Sequence, residues 1–161
     1  MKKLFIIRHA KSSWKYNLKD HDRPLKKRGE NDAELLSKYT NELFDNPEIV
    51  LCSTANRTRL TANYFIKNWN LDIEKVFYKS QLYDFSGLDL IQQVKQCDNS
   101  INSLMIFGHN FAVTDFVNTF GNIYVENVPT CGFVVIDFNV SSWANITKGT
   151  TIYKVFPKEI R

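Results

Sequence analysis

The sequence predicts an α/β fold, a three-layer sandwich whose mostly parallel central sheet is flanked by helices. Two observations carry that expectation. Short runs such as LFII (4–7) and LMIF (104–107) are apolar at every position, the mark of strands buried on both faces. Between such runs lie longer segments with apolar residues at helical spacing, and strands that alternate with helices build parallel sheets.

The elements follow in order. Residues 3–8 read as the first strand. After Arg23-Pro24-Leu25, a long amphipathic segment carries Ala33, Leu35, Leu36, Tyr39, Leu43 and Phe44 at helical spacing, and Asp45-Asn46-Pro47 breaks it. Residues 48–54 give a second strand, and 56–68 a second helix carrying Leu60, Tyr64 and Phe65. Val76-Phe77-Tyr78 is a weaker third strand. Residues 87–97 are helical, with Leu88, Leu90, Ile91 and Val94 apolar. Residues 103–108 form a second clearly buried strand, followed by a helix over 110–120. Residues 131–138 and 150–156 close the chain as strands, an antiparallel pair at an edge with Trp143 between them. No repeat, low-complexity stretch or linker interrupts the 161 residues, so one domain, 1–161, is expected.

Composition narrows the function classes. A hydrophobic content of 43% with 14% aromatic residues excludes a disordered chain. The net charge of +4 suits anionic ligands. Much of it lies in Lys2-Lys3, Lys26-Lys27-Arg28 and the C-terminal tail, which read as solvated basic faces rather than a nucleic-acid surface. The apolar stretch after Met1-Lys2-Lys3 is too short for a signal peptide, and no run reaches membrane-spanning length. Cys52, Cys97 and Cys131 are odd in number and widely spaced, which suits reduced thiols. A cytoplasmic location is expected, with neither nucleic acid nor membrane as partner.

The reactive residues gather where the buried strands stop. The first strand ends on Arg8-His9, the second on Ser53 with Arg57 a turn later, and the fourth on Gly108-His109. In a parallel sheet these ends share one edge, where ligands of open α/β sheets bind. Each residue alone is an ordinary polar cap, but two imidazoles and two guanidiniums on one edge make a site. Arginine presents a planar fork matched to phosphate oxygens, and a neutral imidazole is a competent nucleophile toward phosphorus. A second imidazole, if protonated, would stabilise charge on the transferring group. Such a site calls for no metal and no cofactor. A metal held by His9, His109 and an aspartate is the rival reading, disfavoured by Arg8 beside His9.

At these same residues the chain resembles the histidine phosphatase superfamily of phosphoglycerate mutase-like enzymes. Arg8-His9-Ala10 is similar to its first signature. The stretch Ser53-Thr54-Ala55-Asn56-Arg57-Thr58-Arg59-Leu60-Thr61-Ala62 resembles its second, and Phe107-Gly108-His109-Asn110 its third. RHAKSSW, then Asp20-His21-Asp22-Arg23-Pro24-Leu25 and Val128-Pro129-Thr130-Cys131-Gly132, look like the short SixA-like phosphohistidine phosphatase branch. The resemblance implies that His9 becomes transiently phosphorylated and that Arg8, Arg57 and His109 complete the phosphate pocket. Ser53 and Asn110 would support it, with Asp20 and Arg23 as rim contacts for the substrate. It also implies a phosphorylated substrate, most closely a phosphohistidine protein, and a pocket that inorganic phosphate or sulfate can fill. His21 matches no position of the family and reads as a solvent-exposed loop residue.

One departure bears on the substrate. Larger relatives place a glutamate after the third strand to protonate a leaving oxygen, whereas this chain has Leu82-Tyr83-Asp84-Phe85-Ser86-Gly87 there. An alkoxide leaves poorly without a positioned acid, and imidazole far less so. The missing glutamate tilts the reading toward phosphohistidine. Asp84 is either the general acid or the N-cap of the helix that follows. Two alternatives stand beside a phosphohistidine phosphatase: a small-molecule phosphomonoesterase of the same superfamily, and a phosphate-binding module without turnover. Cys52 fails the spacing of a C-x5-R thiolate phosphatase. Trp14 and Trp69 are each core or rim.

Overall fold

The computed structural model describes residues 1–161. Six strands form one sheet: β1 (Lys2–Arg8), β2 (Ile49–Ser53), β3 (Val76–Lys79), β4 (Ser103–Gly108), β5 (Phe133–Phe138) and β6 (Thr150–Val155). Their order is β3-β2-β4-β1-β5-β6. Strands β1 to β4 run parallel. β5 runs against both its neighbours, which returns β6 to the common direction. The mostly parallel sheet and its antiparallel closing pair are as the sequence predicts, with β6 at the edge and β5 inside it.

Helices cover both faces. α1 (Lys27–Thr40), α2 (Asn56–Asn68) and the short α5 (Pro157–Ile160) lie on one side, α3 (Leu88–Lys95) and α4 (Ala112–Phe120) on the other. β1 shows why its sequence does not alternate. Leu4 and Ile6 enter the core under α3 and α4, with Leu90, Val94 and Phe116, while Phe5 and Ile7 enter the core under α1 and α2, with Ala33, Leu36 and Phe65. Trp69 is a core residue, edge-on to Phe5 at 5.7 Å between ring centroids. Trp143 is also fully buried, and its indole N–H donates to the Ile101 carbonyl at 2.7 Å.

Three expectations about apolar faces need correction. Tyr39 and Leu43 are exposed, because the buried stripe of α1 is Gly29, Asp32, Ala33, Leu36, Ser37 and Thr40. Small polar residues occupy that stripe at no desolvation penalty: Ser37 and Thr40 donate to the carbonyls of Ala33 and Leu36, both at 2.7 Å. Asp32 accepts from the Arg161 guanidinium at 3.0 and 2.9 Å, which ties α5 onto α1. Leu88 opens α3 facing solvent, while Leu90 and Val94 carry that helix's contact with the core. Gly29 matters for the site. A Cβ there would stand 2.1 Å from the Lys11 carbonyl oxygen, so only glycine lets the loop after β1 lie on α1.

Candidate active site

The order β2-β4-β1 puts three strand ends side by side. Arg8 is in register with Gly108, and the His9 N–H donates to the Gly108 carbonyl at 3.1 Å. The loop beyond β1 is held from below and from the side. The Ala10 N–H donates to Thr61 Oγ1 at 2.9 Å, and that hydroxyl donates to the Arg57 carbonyl at 2.8 Å. The Cys131 N–H reaches the carbonyls of Arg8 and His9 at 3.0 and 2.9 Å, and the Arg8 guanidinium donates to the Val128 carbonyl at 2.9 Å. A Cβ at Gly132 would meet Val128 Cγ1 at 2.6 Å, so this turn too demands glycine. The late Val128-Pro129-Thr130-Cys131-Gly132 segment is thus a clamp on Arg8-His9.

His9 is buried, and its Nδ1 lies 2.7 Å from the Ala10 carbonyl oxygen. An oxygen acceptor there fixes the proton on Nδ1 and leaves Nε2 unprotonated, its lone pair facing the Arg57 Nε–H. Arg57 Nε points at that Nε2 from 3.4 Å. Arg57 Nη2 lies 3.5 Å from His109 Nδ1 and 3.0 Å from Asp20 Oδ2, and Nη1 donates to the Asp20 carbonyl at 2.7 Å. One edge of the guanidinium therefore faces the two imidazoles, and the other grips Asp20. His109 sits below, its ring centroid 5.2 Å from that of His9 and its Nε2 2.8 Å from Ser53 Oγ.

Charge follows from burial. Desolvation lowers the His9 pKa well below its usual value, helped by His109 and the two arginines and opposed by the Ala10 carbonyl. Desolvation, then Arg57, pushes His109 down to about 3. Both rings are neutral at pH 7. The expected help from a protonated second imidazole is absent with these side chains alone, since burial first, and the Arg57 charge after it, disfavour the imidazolium. Burial would raise the Asp20 carboxyl, but the Tyr83 hydroxyl and then Arg57 outweigh it and bring the pKa down to about 2. Arg8 Nε is buried without a partner, an unspent donor in the residue next to His9.

A cleft of about 280 Å³ opens over these groups, walled by Arg8, His9, Asp20, Arg23, Arg57 and Asn110 together with Lys11, Ser12, Trp14, Phe85 and Thr130. A larger hollow of about 530 Å³ lies where β1 and β4 begin, with Lys3, Glu42 and Glu48 on its wall and no imidazole.

The remaining sequence candidates divide. Arg23 is buried and donates to Asp20 Oδ1 at 3.1 Å and Ser12 Oγ at 2.7 Å, so it braces the rim. Asn110 accepts the Thr114 N–H at 3.1 Å at the start of α4 and donates to Asn127 at 2.8 Å. Ser53 lies under His109 rather than on the cleft. Asp84 has the contacts of a cap. Its Oδ1 accepts from the Ser86 N–H and hydroxyl at 3.1 and 3.0 Å, and its Oδ2 from the N–H groups of Gly87, Asp89 and Leu90 at 3.0–3.1 Å. The carboxylate stays ionised and off the cleft wall, where Phe85 stands instead. His21 is not a plain loop residue: its Nε2 lies 2.8 Å from Thr54 Oγ1 and its ring packs edge-on to Tyr83 at 4.9 Å. Tyr83 was no candidate from sequence, yet its hydroxyl donates to Asp20 and its ring stands 5.4 Å from His109. Cys52 is buried and its thiol pushed far up by desolvation, which removes it as a nucleophile.

Comparison with known proteins points the same way. The model of the histidine phosphatase superfamily (branch 1) matches residues 4–78, the span that carries Arg8, His9, Ser53 and Arg57. An uncharacterized chloroplastic protein of Arabidopsis thaliana is 28% identical over 151 residues, 88% of this chain and 69% of that one. Among solved structures, the protein histidine phosphatase SixA complexed with tungstate superposes with a TM-score of 0.79 at 18% identity, covering 99% of each chain. A mycobacterial glucosyl-3-phosphoglycerate phosphatase with VO3 gives a TM-score of 0.66 at 9% identity, covering 95% of this chain and 98% of the other. At those identities the likeness is one of fold.

Proposed function

We propose that this chain, a phosphatase of the histidine phosphatase superfamily, hydrolyses phosphohistidine carried by a protein, without a metal, through a phosphorylated His9. The observation that carries the substrate reading is the state of its carboxylates. Asp20 is the one carboxylate on the cleft wall, and it is ionised and committed to Arg23 and Arg57. Asp84 is committed to the backbone of α3. No protonated acid is at hand for an alkoxide, so the leaving group that suits the cleft is one that departs with little help, such as imidazole.

The chemistry then runs in two displacements. His9 Nε2 attacks phosphorus as the P–N bond to the substrate imidazole breaks, and the departing ring takes its proton from water. Water next attacks phosphorus on His9, the P–Nε2 bond breaks, and phosphate leaves with the neutral imidazole restored. Arg57 and Arg8 are positioned to hold the equatorial oxygens as charge gathers there. Tungstate in the SixA structure and VO3 in the glucosyl-3-phosphoglycerate phosphatase are oxyanions bound by proteins of this fold, and they support a phosphoryl site here. A phosphomonoesterase acting on small molecules is the second reading, supported by that latter likeness. The test is kcat/KM for a phosphohistidine peptide against alkyl phosphates, with and without chelator. A strong preference for the peptide, unmoved by chelation, is expected. An equal or better rate on alkyl phosphates would overturn the substrate reading.

A further inference from the structure

The wall of the cleft continues into an unusual strip of surface. Between β1 and α1, Lys11, Lys15 and Lys19 face solvent, and none has a carboxylate partner among the ion pairs of the structure. Between them Trp14, Tyr16 and Leu18 are 76%, 54% and 48% exposed. The acids of the same loop do not balance the lysines: Asp20 is spent on two arginines, and Asp22 stands 3.7 Å from His21. Three large apolar groups within five residues, rimmed by charge, mark an interaction site more often than a solvated face.

Trp14 is also preset. The Arg23 guanidinium carbon lies 3.5 Å from its ring centroid, and Arg23 itself is buried and fixed by Ser12 and Asp20. The indole is thus pinned on one face and open on the other, with little ordering entropy left to lose on contact.

We propose that residues 11–19 are the docking surface for the protein that delivers the phosphoryl group, and that this partner is acidic, with an apolar contact, beside its phosphohistidine. The inference rests on the function proposed above and adds the chemistry of the partner. Lys11 and Trp14 belong to both the strip and the cleft wall, so whatever reaches His9 with a phosphoryl group must cover the strip. A folded protein surface does both at once. A bilayer or a nucleic acid lying on the strip would bring only phosphoesters with alkoxide leaving groups to the cleft, for which no protonated acid is at hand.

Three peptides test this, each with one histidine phosphorylated by phosphoramidate and identical but for Asp/Glu, Ala or Lys flanks. At low ionic strength the acidic peptide should exceed the lysine one in kcat/KM by about tenfold, and added salt should shrink the gap. The double variant Lys15→Glu/Lys19→Glu should reverse the order and leave turnover of p-nitrophenyl phosphate unchanged. Hydrolysis of all three peptides at one rate, or an order the variant does not alter, overturns the docking surface and leaves the phosphohistidine reading standing. Turnover of the aryl phosphate with no peptide hydrolysed overturns both. Binding of anionic-lipid vesicles or a single-stranded oligonucleotide that the double variant abolishes, with no flank preference, assigns the strip to another class of partner and also overturns it.

Discussion

Asp20→Asn is the most informative single change, because its effect has a sign that loss of structure cannot imitate. Asp20 grips the outer edge of Arg57 while the inner edge faces His9 and His109. A phosphoryl group on the inner edge would stand roughly 6–7 Å from the carboxylate, where two unit charges at an effective dielectric of about 40 repel by about 1.2–1.4 kcal/mol. The Asp20 side chain is 41% exposed, so solvent screening trims this to about 1 kcal/mol per phosphate charge. Removing the charge should therefore tighten inhibition by inorganic phosphate roughly fivefold for the monoanion and up to about thirtyfold for the dianion. The asparagine oxygen can still accept from Arg57, so the guanidinium keeps its orientation. The carboxyl's pKa of about 2 keeps Asp20 ionised in any assay above pH 4, so the effect grows only as the phosphate itself passes from monoanion to dianion. The assay is the phosphate inhibition constant against an aryl phosphate substrate, for wild type, Asp20→Asn and Asp20→Ala. Weaker or unchanged inhibition in an Asp20→Asn protein with wild-type thermal stability would refute the reasoning.

Three further outcomes follow from the same contacts. His9 and His109 are held neutral in the fold, both pushed down by burial and His109 to about 3, and each titrates near 6.5 when unfolded, so below that value the unfolded chain binds more protons and stability falls as pH falls. Urea unfolding from pH 4 to 8 should show a slope of at most about 1.4 kcal/mol per pH unit per histidine, reduced in His109→Gln; a flat profile in this range would contradict the burial argument. Asp84→Ala removes a cap worth about 1–2 kcal/mol, so Tm should drop by about 2–8 °C while kcat/KM on a phosphohistidine peptide stays within about twofold; a loss of tenfold or more would make Asp84 the general acid. Gly29→Ala would drive a methyl into the Lys11 carbonyl, lowering Tm and weakening phosphate inhibition together, and a wild-type Tm would show that the loop can shift.

Much of this was legible because of where the apolar runs stop. A strand buried on both faces cannot keep a guanidinium or imidazole inside it, so Arg8-His9, Ser53 and Gly108-His109 announce the sheet edge in one dimension. The neighbouring order β2-β4-β1 then does the rest. What stayed illegible depends on partners distant in sequence. Asp84 could be cap or acid because both roles want the same residue type, and only its distances to the amides of Asp89 and Leu90 decide its contacts. Tyr83 carries no motif, and its importance lies in reaching Asp20 63 positions away. The buried stripe of α1 does not show in the sequence because Asp32, Ser37 and Thr40 are polar, yet each finds its hydrogen bonds inside the fold. His21 looked idle for the same reason: its contacts with Thr54 and Tyr83 come from other loops.

The nucleophile proposed for this cleft is His9 Nε2. Its most direct measurement is a rapid quench of the enzyme with a labelled aryl phosphate into base, followed by mapping of the modified peptide. One phosphate on His9, stable in base and lost in acid, formed no slower than turnover and missing along with activity from His9→Ala, is the predicted result. Turnover that persists in His9→Ala, or a steady state in wild type with no phosphorylated His9 at any time point, would contradict it.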